Sequence, residues 1–89
     1  MKPNASGQIV DRFGQPLAFA RIKVLGTETG NEVAHRVTDE QGRYYILVRK
    51  GTYHLSIEKK LASGEYEHVF TTEPMRTRRG VLNQKITLR

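Results

Sequence analysis

Three histidines and three serines are the side chains of this 89-residue chain whose types invite a search for chemistry. His35, His54 and His68 could in principle hold zinc, but they fall on three different expected strands and lack the close His/Glu spacing of a zinc-peptidase helix. His54 and Glu58 are four residues apart, which in a strand separates them by about 13 Å along one face. That is too far to share a metal. Ser6, Ser56 and Ser63 lack a neighbouring histidine and acid arranged as a nucleophile elbow; Ser56 and His54 share a face only as outward strand neighbours. Asp39, Glu40 and Gln41 supply oxygen atoms without a twelve-residue calcium loop, so they read as a turn in which Asp39 bonds backbone N–H groups and Gly42 takes a conformation costly for other residues. Cysteine is absent, which removes disulfides, thiolate metal sites and cysteine nucleophiles. No catalytic residue, metal site or cofactor site is expected.

The remaining candidates are binding residues. Fifteen basic residues against nine acidic ones give a net charge of +6, and the excess is concentrated in residues 43–60 and 72–89. Arg76, Arg78 and Arg79 lie within four residues of one another, with Lys85 nearby. The charge reads first as a solvated, solubilising surface; the alternative is a polyanion or glycan site at these four residues, because a loop can gather charge where a strand would divide it between two faces. Nothing in the pattern points to specific nucleic-acid readout. Tyr45 and Phe19, each opposite an apolar strand face, read first as packing over a second small cluster, with a stacking platform for a sugar as the alternative.

These side chains must be positioned by strands. Ser6–Asp11 is the first, followed by a turn at residues 11–16. Ala18–Leu25 is the second, with Ala18, Ala20, Ile22 and Val24 on one face. A glycine-bearing loop at 26–31 leads to Glu32–Thr38, with Val33 and Val37 inward. Around the centre, Tyr44, Ile46 and Val48 form one apolar row and Tyr53, Leu55 and Ile57 another. The short Lys50-Gly51 connection between them predicts a hairpin. Glu65–Thr71 is the sixth strand, with Tyr66, His68 and Phe70 inward; Thr72–Gly80 reads as a mobile, basic loop. Leu82, Ile86 and Leu88 mark the seventh. No window sustains a 3.6-residue apolar period, so no helix is expected. The fold class is therefore all-β, a seven-stranded antiparallel sandwich, with residues 1–5 a flexible tail and 6–89 a single domain. No apolar run approaches the ~18 residues of a membrane-spanning helix, and the N-terminus lacks the apolar centre of a signal peptide.

Ser6-Gly7-Gln8-Ile9-Val10-Asp11, Gly14-Gln15-Pro16-Leu17-Ala18 and Ala20-Arg21-Ile22-Lys23-Val24, followed by Thr38-Asp39-Glu40-Gln41-Gly42-Arg43-Tyr44-Tyr45-Ile46 and Gly51-Thr52-Tyr53, resemble the carboxypeptidase regulatory-like domain over residues 6–59. The resemblance implies a transthyretin-like (prealbumin-like) sandwich used as a non-catalytic module within larger secreted, periplasmic or membrane-attached proteins. The expected partners are neighbouring domains of a parent protein or a separate protein. A glycan- or polyanion-binding module and an accessory domain that stabilises a neighbouring metallocarboxypeptidase are the two alternatives.

Overall fold

In the computed structural model, which describes residues 6–88, ten short strands occur in the order β1 (Gly7–Val10), β2 (Arg21–Gly26), β3 (Glu32–Val37), β4 (Arg43–Tyr44), β5 (Ile46–Leu47), β6 (Thr52–Lys60), β7 (Tyr66–Thr71), β8 (Met75–Arg76), β9 (Val81–Leu82) and β10 (Ile86–Thr87). There is no helix among the described residues. The largest sheet runs β3-β2-β6-β7, with β8 also paired to β6; β10-β1-β4 and the pair β5-β9 complete the fold. All pairings are antiparallel except β1 with β10. The expected seven strands become ten because the segments at 43–49 and 82–88 are each split in two and β8 forms within the expected loop at 72–80. The tail at residues 1–5 lies outside the described residues, as does Arg89.

Alternation explains the core. Ile22, Val24, Leu55 and Ile57 point inward from the large sheet and meet Ile9, Tyr44, Ile46, Leu82 and Ile86 from the other strands. The molecule is 21 Å through its shortest axis, which accommodates two sheet layers about 10 Å apart. The expected inward rows at 44–48 and 53–57, and the inward Leu82, Ile86 and Leu88, are all found.

Their pairing differs from the expected hairpin. β4 pairs with β1 and β5 with β9, whereas β6 pairs with β2, β7 and β8. Lys50-Gly51 is therefore a crossing between sheets. Both flanking rows are apolar because both face the same core from opposite sides, a pattern that period-two reading cannot distinguish from two adjacent strands.

Other boundaries shift for local reasons. β2 begins at Arg21, not Ala18, because Ala18 and Phe19 form a turn and Phe19 has φ 54°; Ala18 is consequently exposed. In β3, Val33 and Val37 are 54% and 51% exposed, contrary to the inward assignment. Ala34 and Arg36 stand opposite the inward Val24 and Ile22, and Val33 is the unpaired residue where the register shifts. In β7 a second register shift lies between Ile57 and Glu58. It keeps Phe70 against the core but turns His68 and Tyr66 to the outer face, opposite Glu58 and Lys60, so the aromatic row is inward at one member only.

The turn at 39–43 forms as its residue types require. Asp39 Oδ1 accepts from the N–H groups of Gln41 and Arg43 at 2.8 and 2.9 Å, and Gly42 has φ 73°. A Cβ on Gly42 would stand 2.6 Å from the Ile9 carbonyl oxygen, so this position excludes a side chain on two grounds. Asp11 makes the same two bonds, to Phe13 and Gln15.

Candidate functional site

Residues 72–80 are not an open loop. Thr72 and Leu55 exchange two hydrogen bonds, Thr72 N–H to the Leu55 carbonyl and Leu55 N–H to Thr72 Oγ1, both at 2.9 Å. Thr77 and Gly51 repeat the arrangement at 2.9 and 3.0 Å. Between these fastenings β8 pairs with β6, Met75 opposite Tyr53 and Arg76 opposite Thr52. Beyond them, Arg78 and Val81 bond reciprocally at 3.0 and 3.1 Å. Arg79 and Gly80 between them have φ 55° and 77°, the double positive φ of a two-residue I′ hairpin. The Gly80 carbonyl accepts the Val48 N–H at 3.0 Å, fixing the hairpin to the segment that follows β5.

This fastening determines which expected binding residues meet. Arg78 and Arg79 line one depression with Tyr45, Val81 and Asn83. The stacking candidate Tyr45 and two of the basic candidates, 33 residues apart, thus come together through β5-β9 pairing. Arg76 borders a different hollow, with Lys50, Gly51, Thr52 and Thr77, and Lys85, exposed after β9, borders neither. None of the four cations forms an ion pair among the described residues. Phe19, the other stacking candidate, is 48% exposed in its turn, and its carbonyl accepts from the Tyr66 hydroxyl at 3.4 Å.

A second surface is an exposed strand edge, a feature the sandwich class leads one to expect but which the inward placement of Val33 and Val37 kept from being located on β3. β3 pairs only with β2, leaving one backbone edge open. Beside that edge, Val33, Ala34, Leu47, Val48, Arg49 and Tyr53 line a groove. Leu47, 66% exposed, lines it together with Val33. A separate hollow at the other end of β3 is lined by Ser6, Arg36, Val37, Asp39, Arg43, Tyr44 and Tyr45, where Arg43 is paired with Asp39.

The groups that could have done chemistry are otherwise engaged. His35 Nδ1 lies 3.1 Å from Glu32 Oε2, His54 Nδ1 is 2.8 Å from the Thr72 carbonyl, and His68 Nε2 is 2.7 Å from Thr71 Oγ1. Among the described residues no three His, Asp or Glu side chains converge as metal ligands. Ser56, read as an outward surface residue, is outward in the pleat yet 9% exposed, opposite Lys23 on β2 and Thr71 on β7. Glu58 bridges Arg21 at 2.5 Å and Lys23 at 3.4 Å, and the Arg21 guanidinium lies 4.4 Å from the Tyr66 ring centre. The hydrogen bond from Arg21 holds the Glu58 carboxyl below its ordinary pKa. This cluster is a satisfied network on the outer sheet face, with the geometry of a strut.

The all-β, sandwich-like fold of the described residues is that of an immunoglobulin-like module. The family model of the carboxypeptidase regulatory-like domain matches residues 4–88, and the chain belongs to that family, which is regulatory and non-catalytic. The match extends well past Lys60, where the motif-level resemblance ends. Neither a curated protein nor a solved structure matches the chain.

Proposed function

We propose that this chain is a non-catalytic structural and interaction module that docks an extended segment of a protein partner, either a neighbouring domain or a separate chain, along β3. The observation that carries this reading is the open β3 edge beside exposed Val33, Val37 and Leu47. An unpaired strand edge offers a row of N–H and C=O groups to an incoming strand, and side-chain grooves beside it give selectivity. Arg49 borders the groove and Arg36 lies further along β3, so the segment it suits is apolar with acidic residues placed to meet them. Family membership supports a parent protein that is secreted, periplasmic or membrane-attached.

The test places a photo-cross-linking residue at Val37 or Leu47, and at Thr87 on β10 as control, in the protein as its source cells produce it. A discrete adduct from positions 37 and 47 alone, mapped by mass spectrometry to an extended apolar–acidic segment, is the expected result. Equal yields at all three positions would contradict the reading. So would release of C-terminal residues from test peptides by the purified chain, with or without zinc.

A further inference from the structure

We propose that the depression formed by Tyr45, Arg78, Arg79, Val81 and Asn83 binds a carboxylate-bearing sugar ring, such as a uronic acid unit of an acidic polysaccharide. This surface shares no lining residue with the groove at Val33 and Leu47, and neither proposal depends on the other.

Three observations carry it. The first is the mixture of groups. Two arginines, a tyrosine, a valine and an asparagine line one concavity of about 430 Å³, within the range of small-ligand clefts. Guanidiniums take a carboxylate by two parallel hydrogen bonds, an aromatic ring takes the apolar face of a sugar, and an amide suits hydroxyl groups. Recognition by charge alone along a polyanion's length calls instead for a track of cations across the surface, whereas this site suits a single ring. Arg76 and Lys85, which would extend such a track, border other parts of the molecule.

The second is rigidity. The hairpin is fixed by the Arg78–Val81 bonds, by Gly80 on Val48 and by Thr77 on Gly51. Two arginine Cα positions are held before any ligand arrives, which lowers the ordering cost of binding.

The third is the residue at the apex. The first central position of a I′ turn favours Asn, Asp or Gly, yet Arg79 occupies it at φ 55°. A long side chain held in a left-handed conformation is a local cost of the kind that accompanies ligand sites. Arg79 has no carboxylate partner among the described residues to account for it.

The test is an amide NMR titration of the intact chain with trigalacturonate at about 150 mM salt, where long-range attraction is screened beyond roughly 8 Å. Neutral maltotriose and hexaglutamate are the comparison arms. Shifts confined to Tyr45 and residues 78–83, saturating below about 10 mM and absent with maltotriose, are expected. R78A/R79A should weaken binding about tenfold or more. R79N separates binding from folding: the turn favours Asn, so thermal stability should hold or rise while binding falls about fivefold. The proposal fails if hexaglutamate binds as well as trigalacturonate, if maltotriose gives the same shifts, if no saturation occurs, or if R79N binds unchanged.

Discussion

Thr72 fastens Leu55 twice, with its backbone N–H on the Leu55 carbonyl and its hydroxyl oxygen on the Leu55 N–H. Thr77 does the same to Gly51 and Thr38 to Ala20. In each case a buried threonine replaces one carbonyl of a strand ladder with its own Oγ1, where the chain leaves regular pairing. The hydroxyl therefore satisfies a backbone donor that would otherwise be buried without a partner.

Thr72→Val keeps the shape and removes that acceptor. It should destabilise the protein by about 1–3 kcal/mol, the cost of an unsatisfied buried N–H. Thr71→Val, at the exposed neighbouring position, should stay within about 0.5 kcal/mol. Chemical denaturation of both variants measures the difference; equal midpoints would show that the hydroxyl contributes nothing.

Tyr53→Ala should be the more severe core truncation. Tyr53 is 9% exposed, and its hydroxyl donates to the Arg49 carbonyl at 2.7 Å beside the crossing between sheets. Loss of about 3–5 kcal/mol is expected. Ser56→Ala, although Ser56 is also buried, removes one hydroxyl and should cost under about 1.5 kcal/mol. Urea unfolding ranks the two, and a larger loss for Ser56→Ala would contradict the packing described.

Gly42→Ala combines a positive φ with a 2.6 Å approach to the Ile9 carbonyl oxygen. The conformational part alone is worth about 1–2 kcal/mol, so the total should exceed about 2 kcal/mol. Gly14→Ala meets nothing within 4 Å and should show the conformational part only. The gap between their melting temperatures reads the contact directly.

Glu58 gives the stability a defined acid dependence. Its folded pKa lies below the ordinary value of 4.5, chiefly through the Arg21 hydrogen bond. Its contribution is therefore complete above about pH 4.5 and is lost as pH falls through the lower folded value. Arg21 and Lys23 are each about one-third exposed, which screens the pair, so Glu58→Gln should cost about 1 kcal/mol at pH 7. The two proteins should converge as pH falls through the lowered folded value. Asp39, lowered chiefly by the Arg43 backbone N–H, titrates with the same sign and leaves some acid sensitivity in the variant. Melting curves across pH 2–7 test this, and a difference that is constant with pH would contradict it.

Much of the fold was legible because alternation is a local property. The rows Tyr44-Ile46, Tyr53-Leu55-Ile57 and Leu82-Ile86 reveal themselves by period two, and Asp39 and Gly42 declare their turn by residue type. Pairing was not legible, since an apolar row faces the core equally well from either sheet; hence the crossing at Lys50-Gly51 read as a hairpin. Register shifts at Val33 and within β7 moved Val33, Tyr66 and His68 off the faces that uninterrupted alternation assigns. At the candidate site, Arg78 and Arg79 were legible as charge. Their meeting with Tyr45 was not, because it depends on β5-β9 pairing. The anchoring of residues 72–80 rests on Thr72 and Thr77, which in sequence look like ordinary polar loop residues.

The central claim, that β3 is the docking edge, is tested most directly by hydrogen exchange at the amides of residues 33–37 that face away from β2. They should exchange rapidly in the isolated protein and slow by about tenfold or more when the protein is held in its native assembly, while the β10 edge changes little. Unchanged exchange at β3 in the assembly, with protection appearing elsewhere, would contradict the account.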